Sequence, residues 1–178
     1  RAADTIRFAW YLPQSTPTDK QGNDIAKKIA EYSKGAFEVK TFPAGSLLTQ
    51  KNMGDGIRNK TVQLGIIGMH WWSSVEPSME WDNIPFMITD PAVTLKALRG
   101  DVGKRVNEIM ARHGVVAIGW GFYGYGTSYI NTKKPVKVPQ DLDGLTMRGD
   151  GPLMSSFVKK FGGNPVALSS NEIYTALQ

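Results

Sequence analysis

The sequence predicts an α/β fold built on a parallel sheet, and three observations carry that prediction. Strand-like and helix-like segments alternate as β-α-β-α-β from Thr5 to Ile67, the order that places helices over a parallel layer. Most of the helix-like segments begin or end at a capping residue or a glycine. The composition, 41% hydrophobic and 21% charged, is that of a globular chain. With 178 residues the chain suffices for one ordinary domain, or for a lobe and a half of a two-lobed one.

The elements follow in order. Thr5–Trp10 alternates β-prone residues and reads as the first strand. Thr18-x-x-Gln21 reads as a capping box opening a helix. Ile25, Ile29 and Tyr32 would form its apolar face, and Gly35 its left-handed end. Phe37–Phe42 is the second strand, stopped by Pro43. Met53 and Ile57 suggest a helix despite Gly54 and Gly56, and Val62–Ile67 is the third strand. An aromatic segment, His70–Trp81, interrupts the alternation. Asp90-Pro91 caps a further helix that Gly100 breaks. Asp101 is expected to cap the next one, with Val102, Val106, Ile109 and Met110 inward and Gly114 at its end. Val115–Trp120 is expected as a fourth strand.

Past that point the texture becomes Gly- and Tyr-rich, from Gly121 to Asn131. Pro135 and Pro139 bracket a short extended piece, and Gly144–Met147 forms another that leads into Arg148. Leu153, Phe157, Val158 and Phe161 mark a helix closed by Gly162-Gly163. Ser169-x-x-Glu172 is a second capping box. Its helix stops at Gln178 within about two turns and reads as cut off.

Bulk properties exclude several function classes. No apolar run approaches the roughly 20 residues of a membrane helix; the longest, Val115–Ile118, has strand length. The net charge is +5, but Lys and Arg are scattered rather than gathered into a nucleic-acid-binding stripe, so no nucleic acid is expected. A mild positive field would suit an anionic ligand. There is no cysteine, which excludes disulfides, Cys-ligated zinc and thiol catalysis. The opening Arg1-Ala2-Ala3-Asp4 enters a strand at once, as a mature exported chain with its signal peptide removed would, and as a trimmed chain would too.

Few residues offer chemistry. Gly119-x-Gly121-x-x-Gly124 matches a dinucleotide fingerprint, which would make the chain a nucleotide-binding α/β enzyme. That fingerprint needs a helix next, and the strand-like Tyr125–Ile130 follows instead. A glycine-flexible crossover is the other reading. His113 closes a helix, where a cation offsets the dipole. His70, beside Trp71 and Trp72, follows the third strand, where open α/β sheets place ligands. It is either a pocket wall or a structural loop residue. Neither histidine has neighbours at metal-ligand spacing, and no Gly-x-Ser-x-Gly elbow is present. No catalytic residue, metal or cofactor is therefore expected. Arg148 ends an extended segment before Gly149-Asp150-Gly151-Pro152. It is either a surface arginine or a guanidinium that grips a carboxylate through two parallel bonds. Arg148-Gly149-Asp150 also matches an integrin-binding tripeptide, a triplet common by chance.

Three stretches carry a family resemblance. They are Val138-Pro139-Gln140-Asp141-Leu142-x-Gly144-Leu145-x-Met147-Arg148, Phe161-Gly162-Gly163-x-Pro165-Val166, and Asn171 to Gln178 (NEIYTALQ). Together they resemble the signature of the solute receptors of tripartite ATP-independent periplasmic (TRAP) transporters, the dicarboxylate-receptor-like family. Phe42-Pro43-Ala44-Gly45-x-Leu47 and Ile84-Pro85-Phe86 agree in order.

The resemblance implies a bilobal periplasmic-binding-protein-like fold, two α/β lobes joined by crossover strands and closing on a ligand. Lobe one would span 1–122, the crossover and hinge 123–131, and the start of an incomplete lobe two 132–178. It implies a periplasmic receptor, not an enzyme, that delivers a small organic acid to a TRAP membrane permease. Arg148 matches the family's carboxylate-binding arginine. Tyr11 and Gln14, then Met69, His70, Trp71 and Trp72, would line the ligand from lobe one, and Tyr123 and Tyr125 from the crossover. The aromatic walls favour a compact 2-oxo or aromatic monocarboxylate, although each ring could equally be lobe core. The second arginine of some sialic-acid-binding members falls near Gly126 and is missing, which argues against a sugar acid.

Overall fold

The computed structural model describes residues 3–84, 87–122 and 133–178. These form two compact units, one of residues 3–68 and 90–122, the other of 69–84, 87–89 and 133–178. The aromatic segment from Met69 onward falls in the unit that holds the C-terminal residues.

In the first unit β1 (Asp4–Trp10) is the central strand of a parallel sheet of order β2-β1-β3, with β2 Phe37–Phe42 and β3 Leu64–Ile66. A strand paired on both edges and covered by a helix favours apolar residues at successive positions. Phe8, Ala9 and Trp10 are accordingly all buried. Phe8, Trp10 and Ala26 form the core, with Val39, Leu64 and Ile66 against them.

Helix α1 (Pro17–Tyr32) starts two residues earlier than the capping-box reading. Its N-cap is Thr16, whose Oγ1 accepts from Asp19 N at 3.2 Å, with Pro17 at the first helical position. Thr18 is buried inside the helix instead. The inward face is Thr18, Asp19, Gly22 and Ala26, while Ile25 and Tyr32 are exposed. The indole of Trp10 sets this rotation. It fills the space beside Gly22, where a Cβ would lie 2.8 Å from the ring, and donates to Asp19 Oδ1 at 3.0 Å.

Helix α2 (Met53–Arg58) forms despite its glycines. Asp90 caps α3 (Pro91–Arg99), its Oδ1 accepting from Ala92 N at 2.7 Å and Val93 N at 3.2 Å. The N-cap of α4 (Asp101–Ala111) is Gly100, not Asp101, whose carboxylate pairs with Lys104 at 3.0 Å. Gly103, Val106 and Met110 face inward and Val102 is exposed. The expected strand at 115–120 is absent: the segment joins no ladder among the described residues, and Val116 and Ile118 are 64% and 77% exposed.

The second unit holds β4 (Thr146–Arg148) parallel to β5 (Asn164–Val166), joined through α5 (Pro152–Lys160). Its core is Leu142, Leu145, Met147 and Val158, with Val136, Phe157 and Phe161 packed against it. The turn Pro139–Leu142 is held by Asp141, whose Oδ2 accepts from Lys137 N at 2.8 Å and Val138 N at 3.1 Å. The capping box at Ser169 forms, with Glu172 Oε2 accepting from Ser169 N at 2.7 Å ahead of α6 (Ile173–Leu177).

Two 3-10 turns, Met69–Trp72 and Pro77–Asn83, belong to this unit. The N-cap of α5, Gly151, has no side chain with which to satisfy the free N–H groups. Glu80 does so from outside, its Oε1 accepting from Leu153 N at 2.7 Å. Gly151 sits at φ 102° and a Cβ there would lie 2.5 Å from that oxygen, so the position requires glycine. Asn83 Nδ2 donates to Asp150 O at 2.6 Å beside it.

Candidate functional site

Arg148 is the last residue of β4, and the fold commits part of its guanidinium. Nε donates to Leu168 O at 2.9 Å, and Nη2 donates to Asp150 Oδ1 at 3.1 Å. These two groups form the side-on edge of the fork. The end-on edge, Nη1 with the outer Nη2 hydrogen, has no partner among the described residues. The side chain is 24% exposed. A carboxylate meeting this edge can still accept two parallel bonds, so the expected grip is feasible in end-on form.

Asp150 extends the arrangement. Its Oδ2 lies 3.7 Å from His70 Nε2, and on the other side of the ring His70 Nδ1 is 3.0 Å from Asp82 Oδ2. A carboxylate only accepts, so Nδ1 carries the proton shared with Asp82. The side chains of His70 and Asp82 are 15% and 21% exposed. His70 Nε2 is buried and makes no hydrogen bond among the described residues. The result is a line of groups, Asp82, His70, Asp150 and Arg148, drawn from two 3-10 turns, a strand end and the loop after it.

Sequence reasoning named Arg148 and His70 as separate candidates, and the structure links them through Asp150. It missed Asp82 and Asp150 as site residues. Asp150 drew notice only within the Arg-Gly-Asp triplet, and its partner in that triplet is Arg148 itself. Met69 and Trp71 lie with His70 in the same turn and are half-buried; the rings of His70 and Trp71 are 5.5 Å apart. Trp72 and Tyr11 are only 3% and 8% exposed, Tyr11 in the first unit and Trp72 in the second. Gln14, also in the first unit, is exposed. Tyr123 and Tyr125, with the rest of the expected crossover 123–131, lie outside the described residues. The dinucleotide reading needs a strand running directly into Gly119, and among the described residues none does.

Parallel strands with covering helices in two units define an α/β protein. The model of the family "Bacterial extracellular solute-binding protein, family 7" (DctP) matches residues 8–178, and the chain belongs to this family. The family is one of extracellular solute-binding proteins and not of enzymes.

The chain is 30% identical over 178 residues to the 2,3-diketo-L-gulonate-binding periplasmic protein YiaO of Escherichia coli, covering 99% of this chain and 54% of that one. It is 25% identical to the C4-dicarboxylate-binding protein DctB of Bacillus subtilis, over 97% of this chain and 49% of that one. It thus spans about half the length of the curated relatives it matches.

Among solved structures, it superposes on a TRAP periplasmic solute binding protein from Sulfurospirillum deleyianum with bound succinate. The TM-score is 0.86 at 25% identity, covering 100% of this chain and 57% of that one. A second such protein, from Citrobacter koseri with bound D-glucuronate, gives 0.83 at 26% identity, over 97% and 58%.

Proposed function

We propose that the protein, at its full natural length, captures a small organic carboxylate and delivers it to a TRAP membrane permease, with Arg148 as the carboxylate's ligand. The observation that carries this reading is the end-on edge of Arg148, uncommitted among the described residues, on a guanidinium whose other edge is pinned by Leu168 and Asp150. A fork held in this way loses less freedom on binding than a loose lysine would. The family membership and the names of the relatives support the receptor role. His70 is proposed to act with Arg148 in the same unit; Gln14, Met69 and Trp71 are proposed as further ligand contacts, as are Tyr123 and Tyr125. Trp72 and Tyr11, both buried, are proposed only in a supporting role.

The ligand class proposed is the broad one. The preference for a compact 2-oxo or aromatic monocarboxylate finds no support in the relatives. Those similar proteins carry succinate and D-glucuronate, and the Escherichia coli relative is named for a diketo sugar acid. Sugar acids therefore return to the field.

A thermal-shift screen of the full-length protein against uronates, aldonates, C4-dicarboxylates and 2-oxo acids tests the reading. A ligand that binds the native state alone stabilises it by about 2.7 kcal/mol at a hundredfold excess over Kd. One acid class should raise Tm in this way without being consumed. A flat response to every acid, or turnover of one of them, would contradict the proposal.

A further inference from the structure

We infer that Asp150, backed by His70 and Asp82, is a positioning residue that fixes which edge of Arg148 meets an anion. The inference deepens the proposed carboxylate role of Arg148 and rests on it for its purpose.

The geometry runs from the inside outward. Asp82 Oδ2 takes the Nδ1 proton of His70 at 3.0 Å and so fixes the plane and tautomer of the ring. The opposite nitrogen, Nε2, is buried and lies 3.7 Å from Asp150 Oδ2, a contact that attracts the carboxylate when the ring carries both protons. Asp150 then divides its carboxylate. Oδ2 faces the histidine, and Oδ1 accepts from Arg148 Nη2 at 3.1 Å. The backbone of Asp150 is held as well, since its carbonyl accepts from Asn83 Nδ2 at 2.6 Å. A carboxylate fixed through its backbone and faced by two side chains has little rotational freedom. Leu168 O, at 2.9 Å from Nε, supplies the second point on the guanidinium.

Two fixed acceptors on the Nε and Nη2 side define the plane of the fork, and they leave the end-on edge as the one on offer. Without Asp150 the guanidinium would keep one anchor and could turn about its Nε–Cζ bond. Arg148 would then present a mixture of orientations, and each binding event would have to order it again.

The test needs no ligand. In ¹⁵N-labelled full-length protein, Arg148 Nη1 and Nη2 should give separate signals because rotation about Nε–Cζ is slow; Arg148→Lys identifies them by their loss. In Asp150→Ala the two signals should merge, with exchange faster by about tenfold or more, the scale of one lost charge-assisted bond. Asp150→Asn keeps the shape and a weaker acceptor, and should fall between. His70→Ala should speed exchange by roughly threefold, a fraction of that same bond, while the backbone amide spectrum stays otherwise the same.

Merged signals in the wild-type protein, or signals still separate in Asp150→Ala, would overturn the inference. An unchanged rate in His70→Ala would overturn the part given to the histidine. If Arg148 proves slow and yet Arg148→Lys binds acids normally, the carboxylate role fails while the positioning stands, so the two failures are told apart.

Discussion

Asn107 holds both polar backbone groups of Ala117: its Nδ2 donates to Ala117 O at 3.1 Å, and its Oδ1 accepts from Ala117 N at 2.7 Å. The side chain of α4 thereby gives one residue of the 115–120 segment the pair of bonds that a neighbouring strand would supply.

Asn107→Asp should break half of this clamp. A carboxylate still accepts from Ala117 N but cannot donate to Ala117 O, and two acceptors then face each other. The amide of Ala117 should remain protected while the segment around it loosens. Asn107→Ala should lose both bonds, at a cost of about 1–3 kcal/mol for groups left without a partner. Hydrogen exchange followed by mass spectrometry should show faster exchange across 115–118 in the alanine variant; unchanged exchange would contradict the clamp.

That segment also shows where the sequence could be read and where it could not. Its run of apolar residues was legible as strand-like, and in the structure Val116 and Ile118 are exposed while Val115 and Ala117 are half-buried. A strand, however, is a property of two chains of hydrogen bonds, and one segment's pattern does not reveal whether it has a partner. The rotation of α1 failed for a related reason. Periodicity marks Ile25, Ile29 and Tyr32 as a stripe, but the space on Trp10 admits Gly22, and a glycine carries no hydrophobic signal. In the candidate site, Arg148 was legible because motif and extended context coincide. Asp82 and Asp150 were not, since they reach His70 from separate stretches of chain and no local spacing joins them.

The contact between Trp10 and Gly22 gives a stability prediction. Gly22→Val would drive a branched side chain into an indole that is itself fully buried and tied to Asp19. Overpacking of this kind costs about 1–3 kcal/mol, more than the helix propensity gained over glycine. Urea unfolding should show a lower midpoint at unchanged slope. An equal or higher midpoint would mean that the ring moves aside freely.

Asp141 gives a prediction in pH. The backbone N–H groups of Lys137 and Val138 bond its carboxylate and lower its pKa from 3.8. A group depressed in the folded state binds its proton more readily when unfolded, so its contribution is whole above 3.8 and is lost as pH falls through the lower folded value. Wild type should therefore exceed Asp141→Asn in stability near neutrality, with the difference shrinking as pH drops below about 4. Melting both proteins across that range checks the sign. A difference that grows on acidification would contradict it.

The central claim is that Arg148 receives the ligand's carboxylate. Isothermal titration of the full-length protein with the acid that stabilises it most, set beside the same titration of Arg148→Lys, tests this directly. Lysine keeps the charge but cannot form the two-pronged contact, and losing a charged hydrogen bond in a desolvated site costs about 2–5 kcal/mol. The account predicts a weakening of about thirtyfold to several thousandfold, with the melting temperature of the ligand-free variant close to wild type. An affinity unchanged by the substitution would show that the carboxylate is held elsewhere.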